Sequence, residues 1–500
     1  MGRTESLEAR SKRTDESDDS GARAKLVALR RGMVGHWPFL FLLILGSVLR
    51  ILATVGYQPI LMLQRDAYTY LSLALRMDVS GWRPSLYPML IKPLAELGNL
   101  QLLALVQHAA GLAVAVMFYL LMRRLGLSAI VAALGTIPVL LDGYVINIEH
   151  YLLTEAFFNL FVAAALMLIA YPHRPSVVGV GASGLLIGLS MLLRFIGAVT
   201  LVPALLYVLL RRLGAARAVA LIVGFAIPLG AYGLYFSSQT GGSFGVTNSN
   251  GLFLYGRVVE FADCDEVEVP EELQEYCPTG PIESETKGVF TSGLRIREVQ
   301  QDPQGNSKLL RFSRRMILAK PGAYAGAVVS DFARFFELKD PESQEPNVKR
   351  WRFVRTLEDA DPHPFVLENR GAPPAESGIT TEFTINQGVA TFLRSYQDVV
   401  YMYGPLLALL LIAGLAGGLL GRSRVDGERS LGPECLLFSL VAVALLIGPT
   451  MLAVYHFRYV LPAIPLAGVA GALGFTAVKR RFFSERGLAY PSQVRSRERV

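Results

Sequence analysis

The sequence Gln64-Arg65-Asp66-Ala67-Tyr68-Thr69-Tyr70, continued by Trp82-Arg83-Pro84-Ser85-Leu86-Tyr87-Pro88, combines a carboxylate, several cations and a group of aromatic rings. It directly follows an apolar segment, roughly residues 37 to 55, that is long enough to cross a bilayer. Charged side chains kept at a membrane face usually serve a function, because an ionisable group near hydrocarbon is costly. The loop from about 56 to 98 is therefore the first candidate for a functional site.

The composition indicates an integral membrane protein. Hydrophobic residues make up 52% of the 500 residues and charged residues only 18%, which exceeds the apolar share of ordinary globular domains. The net charge of +7 comes from cations in the two tails and in short loops between apolar segments. That distribution is typical of topology signals and argues against a nucleic-acid groove.

About ten apolar segments approach the length that a bilayer requires. They run roughly from 37 to 55, 99 to 121, 128 to 146, 151 to 171, 176 to 193, 196 to 210, 216 to 236, 399 to 421, 433 to 455 and 459 to 478. We therefore predict an all-α polytopic membrane protein of about ten transmembrane helices. An external insert of mixed α/β or irregular structure is expected before the last three helices.

The cations of the short loops predict the orientation. Lys and Arg are enriched in cytoplasmic loops, and these loops all fall on one side if the N-terminus is inside. The predicted units are a disordered cytoplasmic tail (1–36), an N-terminal module of about seven helices (37–236) with the external loop 56–98, an external insert (237–398), about three C-terminal helices (399–478) and a cytoplasmic tail (479–500).

The insert contains a close pair of cysteines, Cys264 and Cys277, in an acidic region, whereas Cys435 begins an apolar run. A disulfide between the first two is expected if the insert faces an oxidising compartment. Two readings of the insert stay open: a small solvated cap, or a unit that recognises the acceptor.

Asp66 is the first candidate for chemistry. In a helix, Asp66 and Tyr70 would lie on one face, one turn apart. A lone external Asp is often a helix cap or a solvated residue. Here the same loop also holds Arg65 and Arg83, and external loops have no topological reason to gather cations. An anionic ligand at the outer leaflet is the simplest explanation.

A second cluster holds Glu149, His150 and Glu155. Glu155 lies about one turn into apolar sequence, where an ionisable side chain indicates either a functional site or a buried ion pair with a neighbouring cation. Glu149 and His150 suggest a divalent cation only weakly, because two adjacent residues do not make a ligand set.

Two further segments bring cations to the same face. Arg194 interrupts two apolar runs, and His456, Arg458 and Tyr459 begin the last crossing. Each arginine alone is compatible with a side chain that extends to the interface, but it is also suited to hold a lipid phosphate. Independent interfacial side chains would not favour one face, so the convergence of four segments predicts a binding site there.

These motifs resemble the GT-C superfamily of polyprenyl-phosphate-sugar-dependent glycosyltransferases, which includes protein O-mannosyltransferases and aminoarabinose transferases of lipid A. The resemblance covers roughly 37 to 236 and 399 to 478. It is carried by Asp66-x-x-x-Tyr70, Arg83-Pro-Ser-Leu-Tyr-Pro88, Thr154-Glu155, Gly184-Leu-Leu-Ile-Gly-Leu-Ser-Met-Leu-Leu-Arg194 and Arg458-Tyr-Val-Leu-Pro462.

The resemblance implies transfer of a hexose or pentose from a polyprenyl phosphate to an acceptor on the external face, with inversion at the anomeric carbon. It implies that Asp66 is the base. Our own hypothesis adds that Arg194 or Arg458 stabilises the departing phosphate. Protein O-mannosyltransferases have an Asp-Glu pair where this chain has Asp66-Ala67, which favours a glycan or lipid acceptor over a protein. A bacterial plasma (inner) membrane with both termini cytoplasmic, and a role in building the cell envelope, are expected.

Two other classes remain open. A lipid-linked saccharide transporter or flippase would also need many crossings and cations for phosphate, but it should line a path across the membrane with polar groups, and the charges here stop near the outer face. A scaffold that uses the insert to bind a partner is the third. A requirement for a divalent cation is left undecided by the sequence.

Overall fold

The computed structural model describes residues 35–77, 79, 81, 83–241, 244–278, 304–338, 351–356, 384–421 and 430–485. Most of the predicted N-terminal tail, Trp82, the cations of the loop at 422–429, the end of the C-terminal tail and a large part of the predicted insert lie outside these ranges.

The first half of the chain is a series of helices with short connections. Their bounds are α1 (Gly35–Gly56), β1 (Tyr57–Gln58), α2 (Arg65–Arg76), α3 (Leu86–Glu96), α4 (Leu100–Arg124), α5 (Ala129–Gly135), α6 (Ile137–Leu141), α7 (Gly143–Glu149), α8 (Glu155–Ala170), α9 (Val177–Leu193), a 3-10 helix (Phe195–Thr200), α10 (Leu201–Leu210) and α11 (Ala215–Thr240).

The second half begins with the region predicted as an insert. Its elements and the last helices are α12 (Asn250–Val258), a 3-10 helix (Glu271–Tyr276), α13 (Gly305–Ala319), α14 (Pro321–Arg334), β2 (Thr384–Ile385), α15 (Gln387–Val399), α16 (Gly404–Leu420), α17 (Gly432–Leu452), a 3-10 helix (Phe457–Val460) and α18 (Ile464–Glu485).

The predicted all-α polytopic class is confirmed. Among the described residues, α1, α4, α11 and α17 are long and apolar enough to cross a membrane, and α15 with α16 makes a fifth candidate that bends by 56°. Several shorter apolar helices, α8, α9 and the pair of helices over Phe195–Leu210, accompany them. In the described chain, β structure is limited to β1 paired antiparallel with β2 and one isolated bridge.

The segment 128 to 146, predicted as one crossing, is instead divided into α5, α6 and α7. Asp142 explains the second break, because its Oδ1 accepts the N–H groups of Tyr144 and Val145 at 2.9 Å and so caps α7. Its Oδ2 accepts the N–H of Met402 at 2.7 Å, which ties this break to the start of α16.

Helix α9 packs closely against α11 because glycines line the crossing. A Cβ on Gly184 would lie 2.0 Å from the carbonyl oxygen of Leu221, and one on Gly224 would lie 2.1 Å from that of Gly181. Without a hydrophobic driving force between helices in lipid, such small residues permit the close backbone approach that stabilises the pair.

The described part of the insert contains a compact unit and a buried segment. Cys264 and Cys277 are joined by a disulfide beside an apolar cluster of α12 and α13. The segment 351–354 is buried, and it is held by hydrogen bonds from the hydroxyl of Tyr57 to Val354 O at 2.8 Å and from Asn147 to Trp351 O at 2.6 Å. The insert is therefore anchored between β1 and α7.

Candidate active site

Several helix ends meet at one place, and each brings a charged side chain to it. Asp66 lies in the first turn of α2, and Glu155 is the first residue of α8. Arg194 follows the last residue of α9 in an extended conformation, and Arg458 lies in the 3-10 helix before α18. Helix N-termini favour carboxylates and C-termini favour cations, so the backbone supports three of these four charges directly.

Asp66 is held by two arginines, one on each carboxylate oxygen. Arg83 Nη2 donates to Oδ1 at 2.9 Å, and Arg458 Nη1 donates to Oδ2 at 3.0 Å. The Asp66 side chain keeps 20% of its surface exposed and that of Arg83 keeps 34%. This carboxylate is therefore firmly oriented and still within reach of a ligand.

Glu155 lies deeper, with 1% of its side chain exposed. Arg194 Nη1 and Arg458 Nε both donate to its Oε1. Glu155 therefore forms a buried ion pair, which is one of the two interpretations that the sequence left open. Its partners are the two arginines that the sequence predicted as phosphate ligands. Arg458 joins the two carboxylates into one network.

This network carries one net positive charge, because three guanidinium groups surround two carboxylates. Burial disfavours the charged form of Asp66, but the nearby Arg83 and Arg458 outweigh that effect and lower its pKa to about 2. Asp66 is therefore ionised at physiological pH, and the site has a surplus of positive charge for an anion.

Trp351 from the insert forms an aromatic wall of the site. The Arg458 guanidinium carbon lies 5.2 Å from the centroid of its ring, within the range of a cation–π contact. The ring of His456 meets that of Trp351 edge-on at 5.6 Å and lies 5.5 Å from the ring of Tyr459. His456 also accepts the N–H of Arg458 through Nδ1 at 3.2 Å.

Two more predicted residues belong to α2. Tyr70 is buried, and its ring meets that of Tyr87 edge-on at 4.9 Å. Burial raises the pKa of Tyr70, so its hydroxyl stays protonated. Arg65 begins the helix, but its side chain is outside the part of the chain that the structure describes.

The structure does not bring Glu149 and His150 into this network. Arg50 binds both oxygens of Glu149 at 2.8 Å, and His108 Nδ1 lies 3.0 Å from Oε2. His108 Nε2 lies 3.0 Å from His150 Nδ1, and His150 Nε2 lies 2.8 Å from the carbonyl oxygen of Tyr57. The substrate contact predicted for Glu149 and His150 stays a prediction, and their described bonds join α1, α4 and α7.

A site for a divalent cation was left open by the sequence. Within the described ranges, no group of three or more His, Cys, Asp or Glu side chains could hold a metal ion. This part of the chain therefore offers no ready ligand set around Glu149 and His150.

Two residues of these networks, Arg50 and Trp351, were not predicted from the sequence, and only the first has a recognisable sequence signal. Arg50 interrupts the first apolar run, and an arginine there requires a buried partner, so the signal for it existed. Trp351 lies in the insert, far along the chain from Arg458, and has no local pattern that marks it. Only the folded contact with Arg458 identifies it.

A family model described as dolichyl-phosphate-mannose-protein mannosyltransferase matches residues 62–214. No curated protein matches the chain. Among solved structures, the chain is similar to ArnT from Cupriavidus metallidurans bound to undecaprenyl phosphate, with 11% identity, 88% of this chain and 77% of that chain covered, and a TM-score of 0.34. It is similar to the apo state of the same protein with 12% identity, the same coverage and a TM-score of 0.33. TM-scores this low do not by themselves establish a shared fold.

The range matched by the family model holds the Asp66 loop, the Thr154-Glu155 pair and the motif that ends at Arg194. These are the segments on which the resemblance rests, and their charged ends meet in one network. Residues 62–214 are therefore similar to the dolichyl-phosphate-mannose-protein mannosyltransferases, and they lie in a chain with several helices that are apolar and long enough to cross a membrane.

Proposed function

We propose that the protein transfers a sugar from a polyprenyl-phosphate-linked donor to an acceptor hydroxyl, with inversion at the anomeric carbon and Asp66 as the base. The observation that carries the proposal is the position of Arg458, which bridges Asp66 and Glu155. Arg83 and Arg194 complete the network on either side. The family model that matches residues 62–214 supports a donor of this class.

The donor phosphate is assigned to the arginines. A guanidinium group has five N–H donors and pairs well with phosphate oxygens, so Arg83 and Arg458 have donors beyond those that bind Asp66. The side chains of Arg194 and Arg458 keep 13% and 12% of their surface exposed. A phosphate that enters here competes with the two carboxylates for the same cations.

Charge balance supports the role of Asp66. The donor is a phosphodiester with one negative charge, which matches the net positive charge of the network. As the acceptor oxygen bonds to C1, the bond from C1 to the phosphate oxygen breaks and the leaving phosphate gains a second negative charge. The acceptor proton moves to Asp66 and removes its charge. The total charge is then zero before and after transfer, which avoids an electrostatic cost in a poorly solvated site.

Donor binding also strengthens the base. A pKa of about 2 makes the resting Asp66 a weak proton acceptor. When the phosphate takes over hydrogen bonds from Arg83 and Arg458, the charge–charge attraction that lowers this pKa diminishes. The pKa of Asp66 then rises towards its ordinary value of 3.8. The base is thereby activated when the donor is in place.

We assign the acceptor to the glycans or lipids of a bacterial envelope, at the external face of the plasma membrane. Ala67 after Asp66 argues against a protein acceptor, because the protein O-mannosyltransferases that the motif resembles have an Asp-Glu pair at this position. The Cys264–Cys277 disulfide favours an oxidising compartment for the insert. Arg123 and Arg124 at the end of α4 favour the opposite, cytoplasmic face for that end.

The test uses the purified full chain in nanodiscs with a panel of polyprenyl-phosphate sugars and an envelope glycolipid extract. Mass spectrometry should detect one sugar moving to an acceptor as free polyprenyl phosphate appears, and NMR should show an inverted anomeric linkage. Folded protein that transfers no sugar from any donor, or a product with retained configuration, would overturn the proposal.

A further inference from the structure

A buried ion pair reaches from the insert to the loop that precedes Arg458. We propose that this pair, Arg257 with Asp331, positions Arg458 and so sets the geometry of the phosphate and base sites. The inference rests on the proposed function, since it assigns these residues a part in the same reaction. It makes the insert a structural component of the active site.

Arg257 lies in α12 and is fully buried. Its Nη1 donates to Asp331 Oδ2 at 2.5 Å and to the carbonyl oxygens of Thr450 at 3.4 Å and Ala453 at 3.3 Å. Its Nη2 pairs with Glu260. The last carbonyls of a helix lack partners within the helix, so Arg257 closes the end of α17 and fixes where the following loop begins.

Asp331 holds the middle of that loop. It lies in α14 with 8% of its surface exposed, and its Oδ2 accepts the backbone N–H of Tyr455 at 2.8 Å. The Tyr455 ring lies 4.1 Å from the guanidinium carbon of Arg334 and 4.9 Å from the ring of Phe335. Side chains of α14 therefore hold both the backbone and the side chain of Tyr455.

The path from Tyr455 to Arg458 is short. The next residue, His456, accepts the backbone N–H of Arg458 and packs its ring against Trp351. Trp351 in turn lies against the Arg458 guanidinium. A shift of the loop at Tyr455 would thus be passed to the side chain that contacts Asp66 and Glu155.

The chemistry of the pair favours positioning over stabilisation. Much of the attraction within a buried ion pair is offset by the loss of hydration, so such a pair is an inefficient means of stabilising a fold. Its fixed geometry specifies where attached backbone lies. Asp331 fixes the backbone of the loop before Arg458 in this way, because its Oδ2 accepts hydrogen bonds from both Arg257 and the Tyr455 N–H.

The first experiment compares Asp331→Asn and Asp331→Ala with the wild type in sugar transfer from the donor. A displacement of Arg458 by about 1 Å should lower kcat/KM for the donor by roughly 100-fold, with the KM of the acceptor unchanged. The matched control is Arg311→Ala, which removes an exposed ion pair to Glu272 in the same insert and should keep wild-type kinetics. Wild-type kinetics in folded Asp331→Ala would overturn the inference.

The second experiment separates positioning from general loss of structure. Binding of farnesyl phosphate is measured for Arg458→Ala, Asp331→Asn and the double variant. If Asp331 acts through Arg458, the double variant should bind no more weakly than Arg458→Ala alone, whereas additive losses would overturn the inference. Arg257→Lys, which keeps the charge, replaces any Asp331 variant that does not fold.

The two proposals fail in different ways. A wild type that transfers no sugar removes the proposed function, while the binding cycle still tests the link between Asp331 and Arg458. A wild type that transfers sugar and an Asp331→Ala variant that transfers it equally well removes only the positioning role.

Discussion

Arg458 donates to Asp66 through Nη1 and to Glu155 through Nε, and this double contact sets the resting state of both carboxylates. A bridging arginine keeps two acids close without the repulsion that would raise their pKa values. If the donor phosphate binds Arg458, as proposed, it would weaken the hold of this arginine on both acids together.

The lowered pKa of Asp66 determines the pH dependence that we expect for the rate of transfer. Because the ordinary pKa is 3.8 and the resting value about 2, Asp66 stays ionised above about pH 4, and the stabilisation from its ion pairs is lost only as the pH falls between these values. The kcat/KM for the donor, which reports the free enzyme, should therefore show no acidic limb due to Asp66 from about pH 8 down to about pH 5. Any acidic limb of kcat should lie at higher pH than that of kcat/KM, since bound donor is proposed to raise the pKa of Asp66. Initial rates across this range test it, and an acidic limb near neutral pH in both parameters would contradict the assignment.

Some residues of the site could be predicted from the sequence and others could not. Asp66, Glu155 and Arg194 are recognisable because ionisable side chains beside apolar runs are costly and therefore informative. The pairing of Arg458 with both acids was not predictable, since it depends on how α8 and the last helices meet. Trp351, Arg257 and Asp331 carry no local signal at all. Their roles arise from contacts between parts of the chain that are distant in sequence.

At the scale of elements, the crossing of α9 and α11 positions Arg194, because Arg194 directly follows α9. The sequence predicted both segments from their apolar length. It did not predict the division of 128 to 146, because the apolar run conceals the capping role of Asp142. Hydropathy reports which residues avoid water, whereas capping depends on a single side-chain conformation.

Alanine substitutions at two glycines of α11 test how closely α9 and α11 pack. Gly224→Ala would place a Cβ 2.1 Å from the carbonyl oxygen of Gly181, so the helices must separate. We expect a loss of about 1 to 3 kcal/mol in the free energy of unfolding. Gly230→Ala on the same helix meets nothing within 4 Å and should be neutral or slightly stabilising, since alanine favours helix. Unfolding in detergent compares them, and equal stability of the two variants would contradict the packing described.

The buried ion pair of Arg50 and Glu149 links α1 to α7. We expect its loss to destabilise the fold. Glu149→Gln leaves Arg50, 2% exposed, without its counter-charge, which should cost about 3 to 5 kcal/mol in the free energy of unfolding. Turnover for each folded molecule should be unchanged. The control is Glu96→Gln, which removes a partly exposed pair with Lys92. A stable Glu149→Gln that has lost transfer would show instead that Glu149 contacts substrate, as the sequence predicts.

The proposed site requires the Asp66 loop and the insert to lie on one face of the membrane and the arginine-rich loops on the other. Thiol labelling of intact cells tests this, because the free Cys435 is buried and Cys264 is bonded to Cys277. An impermeant maleimide should label Leu97→Cys, an exposed position after α3, in intact cells. It should label Arg174→Cys, exposed between α8 and α9, only after the cells are permeabilised. The reverse pattern would place the proposed site in the cytoplasm.

Composition predicts the membrane part of this chain but not its insert. Apolar content and the distribution of cations predicted a polytopic membrane protein, since both follow directly from bilayer physics. The insert could not be interpreted in this way. Its described residues instead show that Trp351 and Asp331 reach the Arg458 loop from outside the membrane helices.

Asp66 is proposed as the base of a sugar transfer from polyprenyl phosphate, and the rate of the Asp66→Asn variant tests this role. Single-turnover transfer is measured with saturating donor for the wild type, Asp66→Asn and the control Asp398→Asn, which alters an exposed ion pair of α15. Asp66→Asn should lose about 10² to 10⁴-fold in rate. It should bind free polyprenyl phosphate at least as tightly as the wild type, because Arg83 and Arg458 are released. The control should match the wild type. Near-normal turnover by folded Asp66→Asn would show that Asp66 is not the base.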